Sequence, residues 1–255
     1  MKRDNVIYTC ITGNYESLFQ PITVTSDFDF ICFSNDIKDD YVGIWKICPI
    51  PHINYNLKSL SRYVKLLPHI VLPNYEYSVW MDANIQIMDN DFYNYVKKVI
   101  DDQELIAQVP HLKSKDIYDE IRNAYYGEKV DWKSARNQLH YLRKAGYPKG
   151  VGLYENNIIL RKHNDDLVKK LSEEWWTEFC KSAPRDQFSL MYVYWKHNYK
   201  PSYLFDSSHN SRNISCLKYH VHPSMQIRNN YYNKHQILRA LNALKKWFVV
   251  KFLLR

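Results

Sequence analysis

Short, mainly apolar runs recur along the first two thirds of the chain, and the principal ones stop at a group of polar residues. Short runs rich in β-branched and aromatic side chains are typical of buried strands. The runs lie at Val6–Ile11, Phe28–Ser34, Trp45–Cys48, Leu105–Val109 and Ile158–Leu160. We therefore predict core strands here, the principal ones opening into polar loops.

Longer segments with apolar residues spaced three and four apart alternate with these runs, a spacing that predicts helices. The predicted helices are Phe92–Ile100, Asp116–Tyr126, Trp132–Ala145, Asp165–Cys180 and Phe188–Trp195. The stretch from His197 to Met225 has no such period and is predicted to be a loop. Alternating strands and helices indicate an α/β fold with a mostly parallel central sheet and its ligand crevice at the strand ends.

The segment from Arg62 to Ile87 combines both patterns. Its first half predicts a helix with an apolar face that reaches to Ile70, and it places Arg62 and Lys65 three residues apart. Its second half predicts a buried strand that stops at Asp82-Ala83-Asn84. Two cations suit a phosphate group, and an acid suits a metal ion that holds it. The alternative is a surface helix followed by a strand with a turn-forming Asp.

Three other polar groups lie at predicted element ends. Asp36, beyond the second strand, suits a hydrogen bond from a ribose or base, or forms a simple Asx turn. Glu155-Asn156-Asn157 stands directly before the strand Ile158–Leu160. Arg185-Asp186-Gln187 precedes a helix, where the Asp either caps the first turn or joins a cluster that faces the crevice.

The composition of the chain argues against several classes of protein. The 255 residues suit one large α/β domain, and the sequence has only six Gly and neither a GxGxxG nor a GxxxxGK[ST] motif. This counts against a Rossmann dehydrogenase or a P-loop NTPase. The five Cys lack metal-binding spacing, and we find neither a signal-peptide core nor an apolar run of 18 residues. These features favour a cytoplasmic location.

The net charge of +8 is concentrated at one end of the chain. Residues 233–255 carry six Lys and Arg and no acid, which leaves 29 of the 35 Lys and Arg against all 27 Asp and Glu. We therefore predict a domain over 1–232 and a basic amphipathic helix over 233–255, and no nucleic-acid-binding face. Such a helix suits an anionic membrane surface, or it docks on the body as an ordinary C-terminal helix.

Several motifs together resemble a known family. LSRYVKLLPH and YSVWMDANIQI, with CITGNYESL and CFSND before them, are similar to GT-A type nucleotide-sugar glycosyltransferases. The similarity is to a glycosyltransferase-like family, formerly classed as a domain of unknown function, from plant mucilage-related proteins and bacterial polysaccharide loci. The helix–strand unit also resembles the glycogenin-like family, where an Arg-bearing helix precedes a strand that ends in a DXD motif.

The resemblance implies a GT-A fold and a role for each matching residue. Nucleotide-sugar contacts would come from Thr9, Gly13, Tyr15, Asp36, Arg62, Lys65, Asp82, Asn84, Arg185 and Gln187. Glu155 and Asp186 would be the catalytic carboxylates. The implied partners are a nucleotide-sugar donor and a glycan or lipid-linked glycan acceptor, in cell-surface polysaccharide synthesis. From the basic tail we expect the protein to lie at the inner face of the membrane.

The last position of the DXD motif departs from the family pattern. Asn84 stands where a second acid is expected, so Mn²⁺ or Mg²⁺ would be held by Asp82 and a neutral amide, with His222 as a further candidate ligand. A site without metal would need Arg62, Lys65 or Arg185 to neutralise the leaving diphosphate. Two other functions stay open: a hydrolase that uses Glu155 and Asp186, and a non-catalytic carbohydrate-binding module.

Overall fold

The computed structural model describes residues 4–13, 17–51, 54–181, 185–221, 230, 236–252 and 254. The chain divides into two compact units. The first comprises Met1–Pro110, Tyr154–Trp176 and Lys200–His220; the second comprises His111–Leu153, Thr177–Tyr199 and Val221–Arg255. This division differs from the predicted boundary at residue 233, which stays a prediction.

The described strands belong to the first unit. They are β1 (Asn5–Cys10), β2 (Phe28–Phe33), β3 (Tyr41–Val42), β4 (Trp45–Cys48), β5 (Tyr77–Met81), β6 (Ile85–Ile87), β7 (Ile106–Pro110), β8 (Tyr154–Arg161), β9 (Ser202–Tyr203) and β10 (Leu217–Tyr219). The large sheet has the order β3-β4-β2-β1-β5-β8-β7-β9, and β6 pairs with β10 in a small antiparallel ribbon. The predicted α/β class is confirmed.

The direction of the strands decides which loops share an edge of the sheet. The strands β4, β2, β1 and β5 run parallel, so their carboxyl ends lie together. Strand β8 runs antiparallel to β5 and to β7, which brings its first residues to the same edge. The sheet is thus mixed, and its parallel half is the part that the alternating pattern predicted.

Helices of the first unit cover this sheet. They are α1 (Leu57–Leu66), α2 (Pro68–Val71), α3 (Asp91–Asp101) and the first part of α6 (Asp166–Lys181). The Asn56 side chain caps α1 by accepting a hydrogen bond from the Ser59 amide. Pro68 begins a separate short helix because a proline lacks the N–H that would continue α1. Ile70 is consequently exposed, and its predicted place on the apolar face of α1 is wrong.

The described secondary structure of the second unit is helical. It contains α4 (Ile117–Tyr126), α5 (Trp132–Lys144), the end of α6, a 3₁₀ turn at Asp186–Phe188, α7 (Leu190–Lys196) and α8 (Gln236–Phe252). Asp116 and Asp131 cap α4 and α5, each accepting from an amide three residues later. Among the described helices, none combines the length and the apolar character needed to cross a bilayer.

Two predicted boundaries need correction. Glu155, Asn156 and Asn157 lie inside β8 and not before it, because their buried polar groups find partners within the first unit. The stretch predicted as a loop from His197 to Met225 contains β9 and β10. Strands of two and three residues are too short to produce a readable period.

Candidate functional site

The loops after β1 and β2 are joined by a direct hydrogen bond. The Gly13 amide donates to Oδ2 of Asp36 at 2.5 Å, and the Thr12 hydroxyl donates to the Leu57 carbonyl at the start of α1. Gly13 has φ +69°, and a Cβ there would lie 2.8 Å from Cδ1 of Leu57. The structure therefore brings together two of the predicted nucleotide-contacting residues at the carboxyl edge of the sheet.

Of the predicted nucleotide contacts Thr9 and Tyr15, only Thr9 lies among the described residues. Thr9 lies in β1 opposite Cys32 and is buried, and its hydroxyl makes no hydrogen bond to another described residue. It shares a face of the strand with the core residues Ile7 and Ile11. Tyr15 lies outside the described residues. The nucleotide contacts of both stay predictions.

Lys65 and Asp82 form the central pair of the site. Nζ of Lys65 in α1 lies 3.3 Å from Oδ1 of Asp82, which directly follows β5. Lys65 is 2% exposed, whereas the Asp82 side chain is 37% exposed. Nε1 of Trp80 donates to the same carboxylate oxygen at 2.8 Å, and the lysine ammonium lies 5.3 Å from the centre of the Trp80 ring. The helix–strand unit thus delivers a buried cation to an accessible acid.

A buried polar network holds this end of α1 in place. Nη2 of Arg161 in β8 donates to the Tyr8 hydroxyl and to the Lys65 carbonyl, both at 2.6 Å. This satisfies a carbonyl at the C-terminal end of the helix, where the intrahelical partner is missing. Burial raises the pKa of Tyr8 to about 12, although the charge of Arg161 acts in the opposite direction. The sequence pattern did not reveal Tyr8 or Arg161, because Tyr8 lies in a run interpreted as apolar and Arg161 directly follows the predicted strand Ile158–Leu160.

Arg62 lies close to the end of β1. It is half-buried and donates from Nη1 to the Ser61 hydroxyl at 3.3 Å. Burial raises the pKa of the Cys10 thiol, and the Arg62 charge is near enough to act against this rise. The two cations predicted three residues apart therefore stand at the ends of two neighbouring strands, β1 and β5.

Asn84 is engaged by the segment that ends at His220. Its side-chain amide donates to the His220 carbonyl at 2.9 Å, and the His220 amide donates to the Asn84 carbonyl at 2.8 Å. Asn84 is buried and holds β10 next to β6, and so extends the small ribbon. The amide that replaces the second acid of the motif therefore has a structural partner.

The side chains of Asp82 and Asn84 do not form a ready-made site for a divalent cation. Oδ1 of Asp82 already accepts two hydrogen bonds, from Lys65 and Trp80, and Asn84 supplies no charge. Within the described ranges, no group of three or more His, Cys, Asp or Glu side chains is arranged to hold a metal ion. His222 falls among the residues the structure does not describe, so its role as a ligand stays a prediction.

Glu155 is the centre of a buried cluster at the start of β8. Nη1 of Arg212 lies 2.7 and 2.6 Å from its two carboxylate oxygens, and Asn210 and Asn157 donate to it at 3.0 and 2.8 Å. The Arg212 guanidinium stacks over the Tyr219 ring at 4.5 Å. Both oxygens of this predicted catalytic acid are thus occupied. Arg212 and Asn210 gave no signal in the sequence, since they lie in an irregular segment.

The predicted residues Arg185, Asp186 and Gln187 belong to the second unit. Asp186 begins the 3₁₀ turn, and it and Gln187 are buried. Nη2 of Arg185 lies 4.0 Å from Oε1 of Glu120, and its guanidinium lies 5.7 Å from the centre of the Phe188 ring. These contacts of Arg185 are with other residues of the second unit. The contacts of all three residues with a nucleotide-sugar donor stay predictions.

Glu120 is at the centre of a second polar cluster, which no sequence pattern indicated. The Ser114 hydroxyl donates to Oε2 of Glu120 at 2.8 Å, and Nε2 of His111 lies 3.4 Å from the same oxygen. Burial alone would raise the pKa of Glu120, but the bonds from His111 and Ser114 lower it below its usual value. The cluster ties the start of α4 to the loop before it, which makes it a structural element of the second unit.

Comparison with known proteins identifies the family. Residues 1–222 match the family described as TOD1/MUCI70, glycosyltransferase-like domain. The chain belongs to this family. The resemblance stated from the sequence motifs is thereby confirmed. A curated TOD1/MUCI70 relative, "Probable hexosyltransferase MUCI70" of Arabidopsis thaliana, is 24% identical over 161 residues. That alignment covers 60% of this chain and 28% of the relative, so the chain spans little more than a quarter of that protein.

Solved structures of glycosyltransferases show a distant likeness. The galactosyltransferase LgtC in complex with donor and acceptor sugar analogues has a TM-score of 0.46 at 11% identity, and covers 86% of this chain and 87% of LgtC. Mouse xyloside xylosyltransferase 1 has a TM-score of 0.44 at 9% identity, with 84% and 88% coverage. GlyE of Streptococcus pneumoniae TIGR4 has a TM-score of 0.42 at 8% identity, with 81% and 46% coverage.

Proposed function

We propose that this chain is a GT-A type glycosyltransferase that moves a sugar from a nucleoside-diphosphate sugar to a hydroxyl of a glycan or lipid-linked glycan acceptor. The observation that carries the proposal is the Lys65–Asp82 pair at the carboxyl edge of the sheet, within a TOD1/MUCI70 glycosyltransferase-like domain. Ligands of open α/β sheets bind at this edge. The joined loops at Gly13 and Asp36 lie at the same edge.

The reaction makes a specific electrostatic demand. The bond between the anomeric carbon and the diphosphate oxygen breaks, and the acceptor oxygen bonds to that carbon as its hydroxyl proton leaves. Negative charge grows on the departing diphosphate, so cations fixed beforehand near it lower the barrier. Arg62 is a partly exposed cation of α1 near the strand ends, and Lys65, which is buried against Asp82, adds its charge without facing solvent. Asp82 suits the hydroxyls of the donor's ribose or sugar.

We assign neutralisation of the leaving group to these two side chains and route no step through a metal ion. The contacts of Asp82 and Asn84 support this assignment. Oδ1 of Asp82 already accepts hydrogen bonds from Lys65 and Trp80, and the side chain of Asn84 is a neutral amide. Turnover is therefore expected to persist when chelators remove divalent cations.

Glu155 is assigned a positioning role in this scheme. To accept a proton, its carboxylate would first have to release Arg212, which contacts both of its oxygens. Glu155 instead fixes Arg212 over Tyr219 at the start of β8, on the edge of the sheet that carries Asp82. Whether the sugar keeps or inverts its anomeric configuration is read directly by NMR of the product.

Calorimetric titration of the chain with a panel of nucleotide sugars tests the proposal. We expect one donor to bind, with similar affinity in EDTA and in Mn²⁺, and Asp101→Asn, an exposed control on α3, to bind it equally well. Failure of the whole panel to bind under both conditions would refute the function. Binding only with Mn²⁺ would refute the assignment to Lys65 and Arg62 while leaving the transferase activity intact.

A further inference from the structure

Helix α8 is attached to the second unit on the side that carries Lys246. Nζ of Lys246 donates to the Tyr126 carbonyl at 2.9 Å and to Oε1 of Glu128 at 2.6 Å. Just beyond the helix, the Leu254 carbonyl accepts from Nε of Arg122 in α4 at 3.2 Å. These contacts orient the helix with a lysine facing the protein body.

The apolar side of the same helix consequently faces solvent. Its residues are 53–79% exposed, and they recur at intervals of three or four positions, which places them on one stripe. We call this set, Ile237, Leu241, Leu244, Phe248 and Phe252, the outer stripe. An amphipathic helix that completes a protein core turns its apolar side inward, so α8 has the opposite orientation. An exposed stripe of this kind marks an interaction surface.

The charges beside the outer stripe indicate what covers it. Lys245 and Lys251 flank the stripe, and Nζ of Lys251 lies 4.4 Å from the centre of the Trp247 ring. The helix contains no acid from Gln236 to Phe252. A lysine set beside Trp and Phe is the arrangement of helices that lie in the headgroup region of anionic bilayers, with the cations at the phosphates and the rings below them.

We infer that the outer stripe docks on the surface of an anionic lipid bilayer, with α8 lying in the plane of the membrane. The Lys246 contacts hold the helix so that the second unit stays on the solvent side. A bilayer fits better than a protein groove because the whole segment from 233 to 255 carries six cations and no acid, and anionic lipids offer matching charge over a flat area. The inference does not rest on the proposed function.

Co-sedimentation with vesicles of phosphatidylcholine, with or without phosphatidylglycerol, tests whether the outer stripe binds an anionic bilayer. The full chain should sediment with the anionic vesicles, with about tenfold weaker binding in high salt or to neutral vesicles. The triple variant Leu241→Ser, Leu244→Ser, Phe248→Ser should lose binding. The matched control Ile22→Ser, Val24→Ser, Val151→Ser removes three exposed apolar side chains elsewhere and should bind as the unaltered chain does.

Two results would overturn the inference. One is equal sedimentation of the triple variant and the unaltered chain. The other is a dimer, seen by light scattering, that the triple variant alone abolishes without any vesicle binding by the unaltered chain, because the occupant would then be a second copy. Donor titration of the triple variant separates the two proposals, since its calorimetric binding of nucleotide sugar should match that of the unaltered chain.

Discussion

Nζ of Lys65 lies 3.3 Å from Oδ1 of Asp82, although one residue belongs to a helix and the other follows a strand. A buried ammonium is stable only where a partner compensates for its lost hydration. Arg161 fixes the Lys65 carbonyl from the neighbouring strand, so the helix end cannot shift without breaking this network. The pair is therefore a fixed feature of the first unit and a rigid base for a charged ligand.

Removing the Lys65 charge should damage both stability and donor binding. Lys65→Met keeps the length of the side chain but leaves Asp82 without its cation. We expect urea unfolding to show a loss of about 1–3 kcal/mol, below the range for fully buried pairs because Asp82 is partly exposed. The surface pair Lys97–Asp27 is the matched control, since Lys97→Met should cost at most about 1 kcal/mol. Equal losses in the two variants would contradict this account.

Glu155 and Arg212 should behave as a coupled pair. In a double-mutant cycle with Glu155→Gln and Arg212→Gln, we expect a coupling energy of about 1–3 kcal/mol in urea unfolding, since each single change leaves the other charge with poorer compensation. Both single variants should also slow sugar transfer. Additive effects on stability would show that the contact seen between them is energetically unimportant.

Gly13 should tolerate alanine poorly for two reasons, its positive φ and the nearby Leu57 side chain. The left-handed backbone alone costs about 1–2 kcal/mol for a residue with a Cβ. Gly146→Ala is a matched control, because Gly146 has φ +75° but no atom within 4 Å of an added Cβ. We expect Gly13→Ala to lose more stability than Gly146→Ala and to raise KM for the donor. An unchanged KM would place the Gly13–Asp36 contact outside the binding site.

The lowered pKa of the buried His163 should make the stability of the fold depend on pH. Burial lowers this pKa to about 4, although the hydrogen bond that Nε2 donates to the Leu72 carbonyl acts in the opposite direction. In unfolded chain the pKa is about 6.5, so between these values the unfolded state binds more protons and stability falls as the pH drops. The loss should reach about 3 kcal/mol near pH 4.

Urea unfolding of His163→Gln checks this, because the glutamine amide can donate to Leu72 without titrating. The variant should lose part of the pH dependence between about pH 4 and 6.5; a part remains because burial also lowers the pKa of His69. His140→Gln, at an exposed position in α5, should retain all of it. A dependence unchanged in His163→Gln would contradict the assignment.

Local sequence patterns anticipated the parts of the site that lie on single elements. Arg62 and Lys65 follow from helical spacing, and Asp82 follows from an apolar run that stops at an acid. The sharing of one edge by Gly13, Asp36 and Asp82 follows from the parallel order of their strands. These features depend on rules that act over a few residues or on a general property of α/β sheets.

Other parts depend on pairings over long sequence separations that no local pattern records. Arg212 reaches Glu155 across 57 residues, and Arg161 reaches Tyr8 across 153. The sequence also predicted the basic amphipathic helix without its orientation, because the Lys246 contact with Glu128 decides which side faces the body. The prediction places the buried polar residues of β8 before the strand and not inside it, since their partners lie elsewhere in the chain.

The most direct test of the central claim is release of nucleoside diphosphate from the bound donor, measured for the unaltered chain and for Asp82→Asn in EDTA. Asp82→Asn removes the charge opposite Lys65 at the strand end and should lower turnover by about a hundredfold or more, with an unchanged circular dichroism spectrum. The unaltered chain should release the nucleotide without added metal. Turnover of Asp82→Asn at the unaltered rate would contradict the placement of the donor at the Lys65–Asp82 pair.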